Sequence, residues 1–186
     1  WFDERPLDAA RHWFAVTGNS VAAEAFGIPA ANILDVPDWV GGRFSPWGAV
    51  GLPAALYLGW PVFEQWLQGG HVADLHFVRA PLASNVPVRL ALDNVWSSTF
   101  LQCTSRCVVA YDGRLAQFLP WLQQLEMESN GKSVTEDGLA VSYATAPVVW
   151  GGLGNNGQHT YFQLLREGTG PKSITVLGTK TASMQH

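Results

Sequence analysis

Arg114-Leu115-Ala116-Gln117-Phe118-Leu119-Pro120-Trp121-Leu122-Gln123-Gln124-Leu125-Glu126-Met127, running straight into Glu128-Ser129-Asn130-Gly131-Lys132, is the stretch from which the rest of the chain is read. Apolar residues fall at Leu115, Phe118, Leu119, Leu122 and Leu125, one face of a helix. Asn130-Gly131 reads as a turn. Glu128 therefore stands where a helix gives way to a loop, held by a rigid element yet facing an opening, which suits a general base. The plainer alternative is a solvated helix-end residue, since exposed Glu is common. Around this stretch, residues 108–111 are β-rich and end at Asp112-Gly113. Residues 133–134 and 139–143, joined by Asp137-Gly138, read as a hairpin. Residues 148–150 and 174–177 are core strands, 151–157 a Gly- and Asn-rich loop, and 158–166 a helix. Strands alternating with helices argue an α/β fold, a sheet between layers of helix.

The first half is helical in pattern. Residues 7–16 predict a short helix running into a strand, 17–19 a turn, and 21–26 a helix with Gly27 at its C-terminal cap. Residues 33–36 predict a strand that Pro37 ends. Gly41-Gly42 allows a tight backbone path before Arg43. Ser45-Pro46 has the form of an N-cap and first-turn pair. The helix expected after it is apolar nearly all round and should be buried, with Gly59 closing it. Pro61 starts another that Gly69-Gly70 should end. Residues 71–80 and 87–101 are further helices, and 179–186 a frayed polar tail.

Composition narrows the class. The 186 residues suffice for a sizeable core. With 47% hydrophobic and 14% charged residues, the chain is globular with little charged surface. A net charge of -4 offers nucleic acid no basic footprint, and no apolar run reaches membrane-span length. Residues 47–58 come nearest and are interrupted by Pro53. No signal-peptide core stands at the N-terminus. Cys103 and Cys107, four apart, fit one helical turn or one strand face; two buried free thiols in a reducing compartment is the reading, rather than zinc or a disulfide.

Three motifs in order, DWVGGRFS at residues 38–45, MESNGK at 127–132 and NGQH at 156–159, resemble those of the glucose-6-phosphate isomerase family, also called phosphoglucose isomerase. Looser likeness runs through HWFAVTGN at 12–19, FGI at 26–28, YDGRLAQF at 111–118 and YFQLL at 161–165. The resemblance implies an α/β fold, a three-layer α-β-α sugar-isomerase (SIS-type) domain with parallel sheet, here a fragment of a two-domain protein. On that map residues 1–50 are the C-terminal part of the first sugar-isomerase domain, 51–85 connecting helices, and 86–186 the first part of the second. Family members are much longer than this chain. Their Ser/Thr-rich phosphate-binding loop and C-terminal catalytic Lys have no counterpart here, so the fragment alone is expected to be inactive.

The implied activity is aldose–ketose isomerisation of glucose 6-phosphate and fructose 6-phosphate through a cis-enediolate, in glycolysis and gluconeogenesis, without cofactor or metal. Glu128 resembles the family's base, with a pKa that partial burial would raise. Arg43 would stabilise the enediolate, being charged at any relevant pH; its structural alternative is an ion pair at a domain seam. The glycines before it, Gly42 among them, would let backbone N–H groups approach the substrate. His159 would shuttle a proton in ring opening, reaching into the neighbouring subunit of a homodimer to complete that site. Gln124, a helical turn before Glu128, would contact the sugar; spacing alone makes it a surface residue. His71 and His76, five apart, are read as structural, and His12 and His186 carry no role. The expected partner is a sugar-phosphate substrate, with no nucleic acid and no membrane, in the cytoplasm. Rival readings are a bifunctional glucose/mannose-phosphate isomerase, and a non-catalytic sugar-phosphate-binding or extracellular signalling protein of the same fold. There are departures. WGGLGNNGQH stands where the family has WGEPGTNGQH, so Gly152 and Leu153 should loosen the loop, and Leu125 replaces a small residue.

Overall fold

Two short parallel strands begin the described part of the chain, which in this computed structural model covers residues 12–181. Residues 7–11 of the expected first helix, and residues 182–186 of the expected frayed tail with His186, lie outside the described residues. The chain divides into two units after Leu75. In the first, β1 (Ala15–Thr17) pairs with β2 (Ile33–Asp35) in the register Ala15 to Ile33. Between them α1 (Ser20–Ala25) starts at Asn19, whose side chain accepts from the Ala22 N–H, and ends before Gly27 at φ 101°. This matches the expected helix, cap and strand.

The next segment departs from expectation. Ser45 does not cap an α-helix. It lies inside a 3-10 stretch, Gly42–Trp47, where its Oγ donates to the Gly42 carbonyl at 2.7 Å. Gly48 then runs extended, and α2 (Leu52–Leu58) begins only after Gly51, with Pro53 in its first turn. Nor is α2 buried: Leu56 is 76% and Tyr57 90% exposed. All-round hydrophobicity predicts burial only where chain is present to cover every face.

The two helices expected on either side of Gly69-Gly70 are one, α3 (Trp60–Arg79). Packing explains why glycine does not break it. Trp47 stacks on Trp66 with centroids 3.9 Å apart, and a Cβ on Gly70 would come within 2.4 Å of the Trp47 ring. The helix penalty of glycine, about 1 kcal/mol, is offset by the ring lying over that bare backbone.

The second unit holds the larger sheet, β3 (Ser105–Ala110) at its centre, with β4 (Val148–Leu153) and β5 (Ser173–Leu177) on either side, all parallel. Helix α4 (Val86–Val95) passes into a wider π-helical turn, Trp96–Phe100. His76 accepts from the Val86 N–H at 3.0 Å, the structural role expected of it. The amphipathic stretch after β3 forms a 3-10 turn, then α5 (Phe118–Gln123), then a second π-turn, Gln124–Glu128. The hairpin is a small excursion with one antiparallel bridge, Val134 to Ala140. Residues 151–153, expected as a loop, complete β4, so Gly152 and Leu153 belong to a strand and not to a loosened loop. Beyond them come α6 (Gly154–Gln158) and α7 (Phe162–Glu167).

Alternation along β3 and β4 gives the layers. Val108 and Val149 point to one face, where Leu122, Phe118, Leu119, Leu125 and Met127 pack on them. Leu125 is thus a core contact. Trp150 points to the other face and meets Tyr161, between α6 and α7, edge-on at 5.0 Å. Helical segments on both faces of a parallel sheet make this an α/β structure. Cys103 and Cys107 are buried and unbonded; burial pushes the Cys107 thiol up to about 11. Among the described residues no helix is long and apolar enough to cross a membrane.

Candidate active site

The π-turn that carries Glu128, together with Gln123 just before it, is tied to the sheet at three points. Gln123 Nε2 donates to the Val149 carbonyl at 2.9 Å. The Val149 N–H donates to Met127 Sδ at 3.4 Å. Glu126 accepts from the buried Arg106 guanidinium. Residues 123, 126 and 127 are drawn inward, while Gln124 and Glu128 are left exposed.

Just beyond, the Gly131 N–H donates to the Met127 carbonyl at 3.0 Å, and Lys132 Nζ reaches back to the Glu128 carbonyl. The helix therefore runs through Asn130, and the turn expected at Asn130-Gly131 comes one residue late. A Cβ on Gly131 would fall 2.1 Å from the Met127 carbonyl oxygen, so close approach, and not a special dihedral, demands glycine there. Glu126, Ser129, Asn130, Lys132, Asn94 and Tyr143 are among the residues lining a cleft of about 720 Å³. Glu126 and Ser129, and not Glu128 itself, line this opening. The expected partial burial of Glu128 is not found: the residue is exposed.

His159 caps the C-terminus of α6, its N–H donating to the Asn156 carbonyl at 3.2 Å, where the sequence suggests that it opens a helix. It too is exposed. Glu128 and His159 are carried by segments packed on opposite faces of one sheet. The first comes after tethers at Val149, near the start of β4; the second comes after the far end of that strand, Leu153.

Arg43 and Gly42 lie in the first unit, in the 3-10 stretch Gly42–Trp47. Arg43 is half-buried. A Cβ on Gly42 would meet no atom within 4 Å, so local packing does not require glycine there.

A second opening, about 630 Å³, lies at the C-terminal ends of the second unit's strands, between Asp112, Asn155, Asn156 and Lys180. Asp112 on its wall is engaged: Arg114 holds it at 2.7 Å and Thr179 Oγ1 donates at 2.6 Å. The Arg114 hydrogen bond, then that of Thr179, holds its carboxyl well below the usual carboxylate range. Among the described residues no three His, Cys, Asp or Glu side chains gather as a metal site would need.

Sequence reasoning passed over Arg106. Its signal was a lone charge in the apolar strand Ser105–Ala110, with Glu126 beside the apolar helix face as its counterpart.

Comparison with known proteins gives a consistent result. A family model described as phosphoglucose isomerase matches residues 3–180. Glucose-6-phosphate isomerase of Shewanella sp. (strain ANA-3) is 51% identical over 162 residues, which is 87% of this chain and 30% of that protein. Glucose-6-phosphate isomerase 1 of Colwellia psychrerythraea is 51% identical over 166 residues, 89% of this chain and 30% of that protein. The chain thus spans about 30% of the length of the curated relatives it matches. Among solved structures, a glucose-6-phosphate isomerase from Chlamydia trachomatis superimposes with a TM-score of 0.81 at 32% identity, covering 97% of this chain and 35% of that one. A hypothetical protein from Thermus thermophilus does so at 0.73 and 27%, covering 94% and 40%.

Proposed function

Because this chain belongs to the phosphoglucose isomerase family, we propose that it is part of an enzyme interconverting glucose 6-phosphate and fructose 6-phosphate in the cytoplasm. Glu128 takes the proton from C2 of the open-chain aldose, leaving a cis-enediolate, and returns it to C1 while the hydroxyl proton passes from O2 to O1, giving the ketose. One carboxylate over two adjacent carbons serves the carbon-to-carbon transfer, and positioned proton transfer contributes about 10²–10⁴ in rate. Arg43 stabilises the negative oxygens of the enediolate. The open space at Gly42 leaves the backbone N–H groups before Arg43 approachable by the sugar. Gln124 contacts the sugar from the same turn as Glu128, and His159 moves the proton that opens the ring.

The observation that carries this reading is the anchored π-turn, which leaves Glu128 exposed while the residues on either side of it, Glu126 and Ser129, line a cleft. Placement of Glu128 and His159 on opposite faces of one sheet favours a homodimer in which His159 completes the neighbouring subunit's site. The division into residues 1–50, 51–85 and 86–186 belongs to the same reading, and the break after Leu75 falls inside the middle segment.

The test is Glu128→Gln in the full-length protein, assayed by coupling fructose 6-phosphate turnover to a dehydrogenase. The amide keeps the shape and loses the basicity. Turnover should fall by about 10²-fold or more with KM little changed. Turnover within about tenfold of the parent removes Glu128 as the base. Residues 1–186 alone should show none in the same assay.

A further inference from the structure

We propose that Arg106 is a positioning residue for Glu128: it clamps, through Glu126, the π-turn from which the carboxylate is presented. The inference rests on the reading of Glu128 as the base. Arg106 is the second residue of the central strand and is 8% exposed. Its neighbours on that strand include Cys107, Val108, Val109 and Ala110, all buried. A guanidinium in such a place is costly to desolvate, and an apolar side chain of like volume often serves stability as well or better. What the apolar substitute lacks is a fork. Arg106 Nη1 donates to Asn94 Oδ1 in the last turn of α4, and Nη2 donates to Glu126 Oε1 in the π-turn. Its buried Nε has no hydrogen-bond partner. The group is therefore incompletely satisfied, as expected of a charge retained for geometry.

The π-turn is what needs holding. Such turns are rare, occur mostly as single turns within α-helices, and are frequent at functional sites. Relaxing this one to α-helical winding would rotate the chain beyond it by about 100° per residue of register and carry Glu128 off its present face. The other two tethers are neutral bonds that both end on Val149, in β4. Arg106–Glu126 is the charged one, and it ends on β3. It also joins the residue two before Glu128 to α4, which borders the same cleft through Asn94.

The experiment uses the full-length protein with Arg106→Met and Glu126→Leu combined, so that neither buried charge is left unpaired. We expect kcat to fall by about 10- to 100-fold, the scale of a misplaced catalytic group, with KM held within about threefold and the melting temperature near that of the parent. In a Glu128→Gln background the same pair should lower the residual kcat no further, because it acts through the group already removed. If the pair does not fold, Arg106→Lys replaces it: one charge stays, the two-armed fork is lost, and the kcat loss should again vanish in the Glu128→Gln background. A kcat within about threefold of the parent, or an equal fractional loss with and without Glu128, overturns the proposal. Full turnover in Glu128→Gln alone would instead overturn the base assignment on which it rests.

Discussion

At the residue scale, candidate residues were legible where side-chain type and spacing coincide. Glu128, Arg43 and His159 stand out in the sequence because each belongs to a short motif that also holds glycine or asparagine. Their accessibility was not legible, since exposure depends on layers that no local pattern encodes. Arg43→Lys in the full-length enzyme should lower kcat more than it raises KM, because a point charge replaces a planar fork at a spread negative charge; a rise in KM alone would make Arg43 a binding residue. Asp112 bears on pH. Its folded pKa lies below the ordinary value of about 3.9, through Arg114 and Thr179. The unfolded state then takes up the proton first, so the stability Asp112 contributes is complete above about pH 4 and is lost as pH falls toward the folded value. Asp112→Asn should therefore melt lower at neutral pH and lose less on acidification below about pH 4, as thermal melts across that range would read. Parallel melting curves for the two proteins would show that the carboxylate does not matter.

At the element scale, most helices and strands follow from periodicity and punctuation, and the misses share a cause. Gly69-Gly70 looked like a helix end because glycine is a poor helix former, yet Trp47 lies over Gly70 and α3 continues. Ser45-Pro46 looked like a helix start, and Gly48 defers it. Gly152 looked like loop, and pairing with Val109 makes it strand. At Gly70 and Gly152 a contact distant in sequence overrode a local preference. The π-turn at Gln124–Glu128 was invisible for the same reason, since its stabilising partners lie in β3 and β4. Gly131 gives a direct check. A methyl group there collides with the Met127 carbonyl, so Gly131→Ala should destabilise by about 1–3 kcal/mol, the usual range for overpacking. An unchanged melting temperature would mean that the turn beyond Glu128 relaxes without strain.

At the scale of the whole molecule, the parallel sheets are where the α/β pattern placed them, but the apolar exterior was not foreseen. Leu56, Tyr57, Trp39 and Val78 are each more than three-quarters exposed in this chain, more than single scattered apolar residues require. The same scale holds the oddest feature of the site, Glu128 on one face of the sheet and His159 on the other. Its consequence can be read in a cell's growth. On the proposed function, a strain lacking the full-length protein should not be rescued by Glu128→Gln alone, nor by a His159→Asn copy alone. Expressed together, the two defective alleles should complement each other. In the proposed two-fold symmetric pair, one composite centre of each mixed dimer receives both intact side chains, and random assortment should restore about a quarter of parental activity. Were each chain to build its centre by itself, no cross between the two alleles would grow.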